Sequence, residues 1–476
     1  MKNNDLLKQF ASVGLGSVVV MVIGFFTTPI ITRVVDPGDY GQLSLFTTYS
    51  NISMMLLGLG FDQVLLRYYY SEDSQEYRSS ILCKCTLLPG LFYTVMVLLV
   101  NTVIFIWNRE MLNNKILYLF FIHVLVLLIN RMSVLMVRLD GRSIMYSILN
   151  IIQKVVYVGV ALALLFLIPG DPFVFLVIAT VMSYAIPTVI SVFIERKYWR
   201  FNLGTIKCGV PYHEMLKYGL PMLLSSGIYL VFQATDKVCL EHMCTYRDVG
   251  IYASAASLIS IVAIIRSSFT TVWMPAAVAH YEKSPDDVGF YIIVNRWITI
   301  LMFAFGLTLM AGKDIIVMLL GEKYREASGI FPFLLFQPIM YTISETTVVG
   351  IILKKNSNMQ LLSSIGACII NIILNLLLIP ILGAKGASIS TGISYIIFFV
   401  LRTVLANKCF PIKYETRKFS VLTILTIGFA LYSSVTTISI QLFLAYVFVM
   451  VVLVLMYRKD VITMMQFLFK YIERKF

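Results

Sequence analysis

The sequence predicts an all-α integral membrane protein of about 14 transmembrane helices. Two six-helix lobes in parallel repeat would surround a central cavity, with two further C-terminal helices outside the repeat. Three observations predict this class. Hydrophobic residues make up 59% of the 476 and charged residues only 13%, too few for a soluble chain of this length. Fourteen apolar stretches follow one another with short connections, and about 20 apolar residues suffice to cross the hydrocarbon core. Helices and closed barrels alone satisfy their backbone in lipid, and these runs are far too long for barrel strands.

The stretches run over 10–34, 42–66, 81–107, 115–137, 144–168, 173–194, 215–240, 249–278, 290–311, 328–353, 357–381, 386–406, 419–437 and 440–457. The first follows Met-Lys-Asn-Asn-Asp, exceeds a signal-peptide core in length and ends in Arg33 and Asp36 instead of small residues, so it is retained as span 1. Pro29, Pro221, Pro275, Pro332 and Pro338, with Gly14, Gly16 and Gly219, predict bending, with hinges placed in spans 1 and 7. A basic linker, residues 196–213, separates an N-lobe (1–195, spans 1–6) from a C-lobe (214–406, spans 7–12). Spans 13 and 14 occupy 407–457. In the tail, 458–476, Val461, Met465, Leu468 and Ile472 share one helical face, the pattern of an interfacial helix.

The lobes echo each other. An ungapped shift of 209 residues brings Lys8 onto Lys217, Asp39 onto Asp248 and Gly41 onto Gly250, and Ile168-Pro169 finds a counterpart in Ile379-Pro380. Six spans return the chain to its starting side, so the copies share an orientation and are related by an axis along the membrane normal.

A net charge of +13 suggests nucleic acid only in a soluble chain. Of the 38 Lys and Arg, 26 fall in segments on the N-terminal side and 9 on the other, the positive-inside pattern with both termini cytoplasmic. Seven Cys and four His are scattered without metal-ligand spacing, so no metal or cofactor is indicated.

Three passages carry a family resemblance. Pro29-Ile30-Ile31-Thr32-Arg33 with Asp39-Tyr40-Gly41 is the first. Tyr218-Gly219-Leu220-Pro221, Asp236 and Val249-Gly250-Ile251-Tyr252-Ala253-Ser254-Ala255 form the second. The third is Asn371-Ile372-Ile373-Leu374-Asn375 through Pro380, with Gly383-Ala384-Lys385-Gly386-Ala387; Gly321-Glu322-Lys323-Tyr324-Arg325-Glu326-Ala327 adds a weaker match. In order and spacing they resemble the polysaccharide-transporter branch of the multidrug/oligosaccharidyl-lipid/polysaccharide exporter superfamily. The resemblance implies a flippase, not an enzyme, in the bacterial inner membrane. It would move an undecaprenyl-diphosphate-linked oligosaccharide outward for O-antigen or capsule, among membrane lipids, glycosyltransferases and a polymerase. Fourteen spans leave the lipid II flippases of the same superfamily open, along with a cation-coupled drug exporter. A membrane glycosyltransferase would need Asp36 and Asp39 as acids in a loop only a few residues long.

An anionic lipid head needs a wet, cationic cavity, and intramembrane ionisable groups are functional hypotheses by default. Arg131, Lys154 and Arg266 lie inside spans 4, 5 and 8, in their inner halves. They form the predicted diphosphate seat, because Arg forks onto phosphate oxygens and Lys offers a point charge. Each alternatively snorkels or pairs with Glu345 or Asp62. Arg33, Asp236 and Lys237 are further substrate candidates; the last two are adjacent, about 100° apart on a helix, and cannot simply pair. Glu345 is read as the neutralising partner of Arg266 in preference to an ion carrier, and Asp62, five residues from Arg67, as an inner-interface acid.

Overall fold

The computed structural model describes residues 19–107, 110, 113–201, 209–354 and 356–473. The start of span 1, Lys8, Gly14, Gly16, the middle of the linker and the last three residues lie outside these. Helices cover the described part of every predicted stretch. Span 1 is Val19–Thr32, span 2 is Pro37–Gly58 with Phe61–Tyr68, span 3 is Gln75–Trp107 and span 4 is Lys115–Leu139. Spans 5, 6 and 7 are Ser143–Leu167, Pro172–Ile194 and Tyr212–Met243. Span 8 is Tyr246–Ile259 with Val262–Lys283, span 9 Gly289–Ala311, and span 10 the three segments Ala327–Leu334, Phe336–Thr347 and Val349–Leu353. Spans 11 to 14 are Ser357–Leu382, Ala384–Cys409, Thr416–Val435 and Ile440–Met456, and the tail helix is Arg458–Glu473. Among the described residues nine of these are long and apolar enough to cross a bilayer, span 10 through Ala327–Thr347, or ten if span 14 is counted with the tail helix that leaves it at 83°. Among the described residues the count of fourteen crossings is therefore not reached on length and composition: span 1 is described over Val19–Thr32 only, spans 2 and 8 are interrupted, and span 7 is too polar or too short in its apolar part.

Side chains start four of the even-numbered spans. Asn114, Asp171, Thr245 and Ser439 each accept a hydrogen bond from a first-turn N–H of spans 4, 6, 8 and 14, satisfying donors that the helix itself leaves open. At Thr245 the cap is reciprocal: Asp248 Oδ2 accepts from the Thr245 N–H at 3.1 Å. The recurring Asp39 and Asp248 both sit in the first turn of the second span of their lobe, as the internal repeat predicts.

Packing divides the chain into two compact units: one of Met1–Val35 with Asp39–Ala234, the other of Asp36–Gly38 with Thr235–Phe476. The division falls inside span 7 and not at the linker. Met215 of span 7 is fully buried with Phe61, Tyr77, Ile81 and Met136 of unit 1. The linker is fastened to the same unit. Lys197 and Tyr198 donate to Asp140 at 3.1 and 2.8 Å, Tyr69 donates to it at 3.2 Å, and Lys84 donates to the carbonyl of Val210 at 2.8 Å. Burial opposes the charge of Asp140, but the hydrogen bonds from Tyr198 and Lys197 outweigh it and hold the carboxyl below its ordinary range. Spans 13 and 14 belong to unit 2, where span 13 packs on Ala327–Leu334 and span 14 on span 9.

The interruptions fall at Leu59–Gly60, Ser260–Ile261, Leu335 and Val348, none of them a proline; Pro221 and Pro275 lie within continuous helices. Gly60 has φ +70°, and a Cβ there would meet the Gly219 carbonyl oxygen at 2.2 Å. A Cβ on Gly219 would in turn meet the Leu59 oxygen at 2.7 Å. Spans 2 and 7 thus touch backbone to backbone at two glycines, and only at Gly60 does the chain also need the left-handed region.

Candidate substrate and charge sites

The break in span 2 opens a cavity of about 270 Å³ within unit 1. Span 2 supplies Asn51, Met54 and Met55, span 4 supplies Leu128 and Arg131, and Met222 of span 7 closes one side. Arg131 Nη2 and Nε reach the same oxygen of Asp62, Oδ2, at 2.7 and 3.2 Å, and Gln63 donates to that oxygen at 3.0 Å. The pair is open to ligand: the Arg131 side chain is 54% exposed and Asp62 21%. Methionines give the remaining wall a soft, deformable apolar surface. A guanidinium with a carboxylate on one edge keeps further N–H donors for an anion, and an anion of higher charge competes with Asp62 for the fork.

Lys154 stands elsewhere in unit 1. Its stem lies against span 1, with Cε 3.9 Å from where a Cβ on Gly24 would be. Arg131 lines the unit 1 cavity and Lys154 is not among its lining residues. Arg33, just past the end of span 1, is exposed and has no carboxylate partner among the described residues.

Unit 2 buries its charges. Arg402 Nη1 donates to Glu345 Oε1 and to Ser344 Oγ, both at 2.7 Å, with side chains 3% and 6% exposed for Arg402 and Glu345. Arg402 lies 5.4 Å from the ring centroid of Tyr341, and Arg266 lies 4.6 Å from the same ring. The ion-pair partner of Glu345 is therefore Arg402 and not Arg266, whose guanidinium instead lies over the Tyr341 ring. Trp273 of span 8 donates to the Glu345 carbonyl at 3.0 Å, tying span 8 to span 10.

Asp236, 4% exposed, is the centre of a second buried cluster. Asn375 and Asn371 donate to Oδ1 at 2.7 and 3.1 Å, and Tyr252 and Thr391 donate to Oδ2 at 2.5 Å each. Spans 8, 11 and 12 so converge on one carboxylate of span 7. Asn371 and Asn375 are four residues apart, on one helical face. Lys237 is half-buried and supplies none of these four bonds. Four neutral donors hydrogen-bond the Asp236 carboxylate, and the neighbouring Lys237 ammonium acts on it only through its charge. That arrangement can be neutralised by a proton or, with an amide turned to present its oxygen, by a monovalent cation. No group of three or more His, Cys, Asp or Glu stands ready for a metal among the described residues.

The chain is thus a multi-pass helical membrane protein with an ion-paired cavity in one unit and buried charge clusters in the other. The model of the polysaccharide biosynthesis protein family matches residues 6–280, more than half of the chain, and the chain belongs to that family. It is 24% identical over 234 residues to the capsular polysaccharide biosynthesis protein CapF of Staphylococcus aureus, a match over 48% of this chain and 57% of that one. The chain thus spans little more than half the length of that relative. Its fold is similar to that of the lipid II flippase MurJ in an inward closed conformation, with TM-score 0.71 and 13% identity over 94% of this chain and 99% of MurJ. An inward-facing multidrug resistance MATE transporter of the MOP superfamily follows at TM-score 0.62 and 14% identity, over 82% and 94% of the two chains.

Proposed function

We propose that the chain is a flippase that carries an undecaprenyl-diphosphate-linked oligosaccharide repeat unit from the inner to the outer leaflet of the bacterial cytoplasmic membrane. It would serve capsule or O-antigen synthesis, between the glycosyltransferases that build the unit and the polymerase that consumes it. Both termini would be cytoplasmic, and no bond of the substrate is made or broken. The observation that carries this reading is the open Arg131–Asp62 pair in the wall of the unit 1 cavity. Arg131 is the first contact for the diphosphate, and Asp62 holds the guanidinium in place until the substrate takes it. Lys154, Arg266, Arg33 and Lys237 are proposed as later contacts along the path.

Coupling is assigned to Asp236. Glu345 forms an ion pair with Arg402, and Asp62 one with Arg131, whereas the hydrogen bonds to the Asp236 carboxylate come from four neutral donors, which leaves it the most readily neutralised by an ion. Moving charge across the membrane contributes about 2.3 kcal/mol per elementary charge per 100 mV, enough to bias the cycle.

The test is reconstitution in liposomes with two substrates, an undecaprenyl-diphosphate oligosaccharide and lipid II. Flipping of the oligosaccharide in preference to lipid II, reduced about tenfold or more by Arg131→Ala, is the expected result for loss of a charge-assisted contact. Preference for lipid II would instead place the chain with the flippase whose fold it shares. Transport unaffected by Arg131→Ala would remove the cationic contact.

A further inference from the structure

We propose that the loop end of unit 2 carries a second, separate binding site, for an acidic sugar. Four connections meet there: spans 7–8, 9–10, 11–12 and 13–14. They enclose a cavity of about 430 Å³, large enough for one or two sugar rings. Its wall includes Lys313, Arg325 and Lys385, together with the acids Asp248 and Glu326.

The acids are already engaged. Glu326 accepts from Arg247 Nη2 at 2.7 Å, and Asp248 Oδ2 accepts from the Thr245 hydroxyl at 2.6 Å and from its N–H at 3.1 Å. Two of the three cations are not. Arg325 donates to the Val317 carbonyl at 3.1 Å and Lys385 to the Ser434 carbonyl at 3.5 Å, and neither has a carboxylate partner among the described residues. Lys313 is 1% exposed and fixed between Asp314 Oδ1 at 2.9 Å and Ser328 Oγ at 2.8 Å, so its position is set in advance. With Glu326 matched by Arg247 and Lys313 by Asp314, Arg325 and Lys385 face Asp248 alone and the cavity keeps an excess of positive charge.

Hydroxyls of Ser328, Ser434, Thr436 and Thr437 also line the space. Hydroxyls that both donate and accept suit a carbohydrate, and a guanidinium with an ammonium suits a carboxylate or phosphate on it. Span 12 begins in the same wall at Gly383, without a side-chain cap, which adds the positive end of a 26-residue helix. Cations are scarce in segments on this side of the chain, 9 against 26, so three in one cavity run against the prevailing bias.

The site rests on the proposed flippase reading for its meaning: it would receive the sugar end of the outward-delivered repeat unit. Its chemistry is testable without transport. Purified full-length protein in nanodiscs is titrated with glucuronate, glucose 1-phosphate, glucose and inorganic phosphate, followed by saturation-transfer NMR. The expected result is binding of the two acidic sugars at least tenfold tighter than glucose or phosphate. That preference should disappear in Arg325→Gln/Lys385→Gln and persist in Arg131→Ala, which separates this site from the unit 1 cavity. Equal binding of glucose and the acidic sugars, or a preference that survives the double substitution, would overturn the site. Phosphate binding as well as glucose 1-phosphate would overturn its carbohydrate character.

Discussion

Unit 1 and unit 2 handle intramembrane charge in opposite ways. In unit 1 the ion pair of Arg131 and Asp62 sits in a cavity wall with the guanidinium more than half exposed. In unit 2 the pair of Arg402 and Glu345 is almost wholly buried and flanked by Tyr341 and Phe398. An exposed pair contributes little to stability and leaves its cation available, whereas a buried pair is costly to break because the remaining charge is uncompensated. The internal repeat sharpens the contrast. Shifted by 209 residues, Asp236 falls on Thr27, whose hydroxyl merely donates to the Ile23 carbonyl at 2.8 Å. The two positions that the sequence shift aligns thus stand in different surroundings.

The sharpest way to break this comparison is to remove one partner from each pair. Arg402→Ala should destabilise the protein by about 3–5 kcal/mol, read as a lowered unfolding temperature in detergent, because it strands a buried carboxylate. The same substitution at Arg131 should cost less than about 1 kcal/mol. Comparable losses at the two sites would erase the distinction. Gly60→Ala comes next, at about 2–4 kcal/mol, since it combines a left-handed backbone with a collision against the Gly219 carbonyl. Gly90→Ala, where a Cβ has open space, is the matched control and should leave the unfolding temperature unchanged or slightly raised.

The helical stretches were readable from the sequence because length and apolarity are local properties of each run. So was the presence of an acid, Asp236, inside a predicted span. Its cage was half visible: Asn371 and Asn375 belong to a recognisable motif with i, i+4 spacing, but nothing local says that their face meets span 7. Arg402 was missed because it lies near the inner end of span 12, where a cation normally belongs to the interface. Its pairing with Glu345 spans 57 positions. The unit boundary inside span 7 was hidden for a similar reason, since an unbroken helix gives no sign of which half packs on which neighbours. The basic linker looked like a tether, yet its described ends are clamped by Asp140 and Lys84.

A smaller effect concerns coupling. Asp236→Asn keeps the size of the side chain and removes the charge that an ion would neutralise, so liposome flipping should lose its response to an imposed pH or Na⁺ gradient. Glu345→Gln should alter stability while keeping that response; the reverse outcome would move coupling to Glu345. The smallest expected effect is at the linker. Asp140 has a depressed folded-state pKa, so its contribution is complete above the unfolded value of about 4 and lost only as pH falls through the lower folded value. Amides of 195–201 should therefore keep their hydrogen-exchange protection from pH 7 to pH 5, and lose it across that range in Asp140→Asn. Loosening of the wild-type linker already at pH 5 would contradict the clasp.

The central claim, that Arg131 is held by Asp62 for exchange onto an anionic lipid head, is tested most directly by measuring affinity for undecaprenyl diphosphate in nanodiscs. The wild type, Arg131→Ala and Asp62→Asn would be compared. Removing the competing carboxylate should tighten binding in Asp62→Asn by several-fold, and removing the guanidinium should weaken it about tenfold or more. Weaker binding in Asp62→Asn, or unchanged binding in Arg131→Ala, would contradict the account.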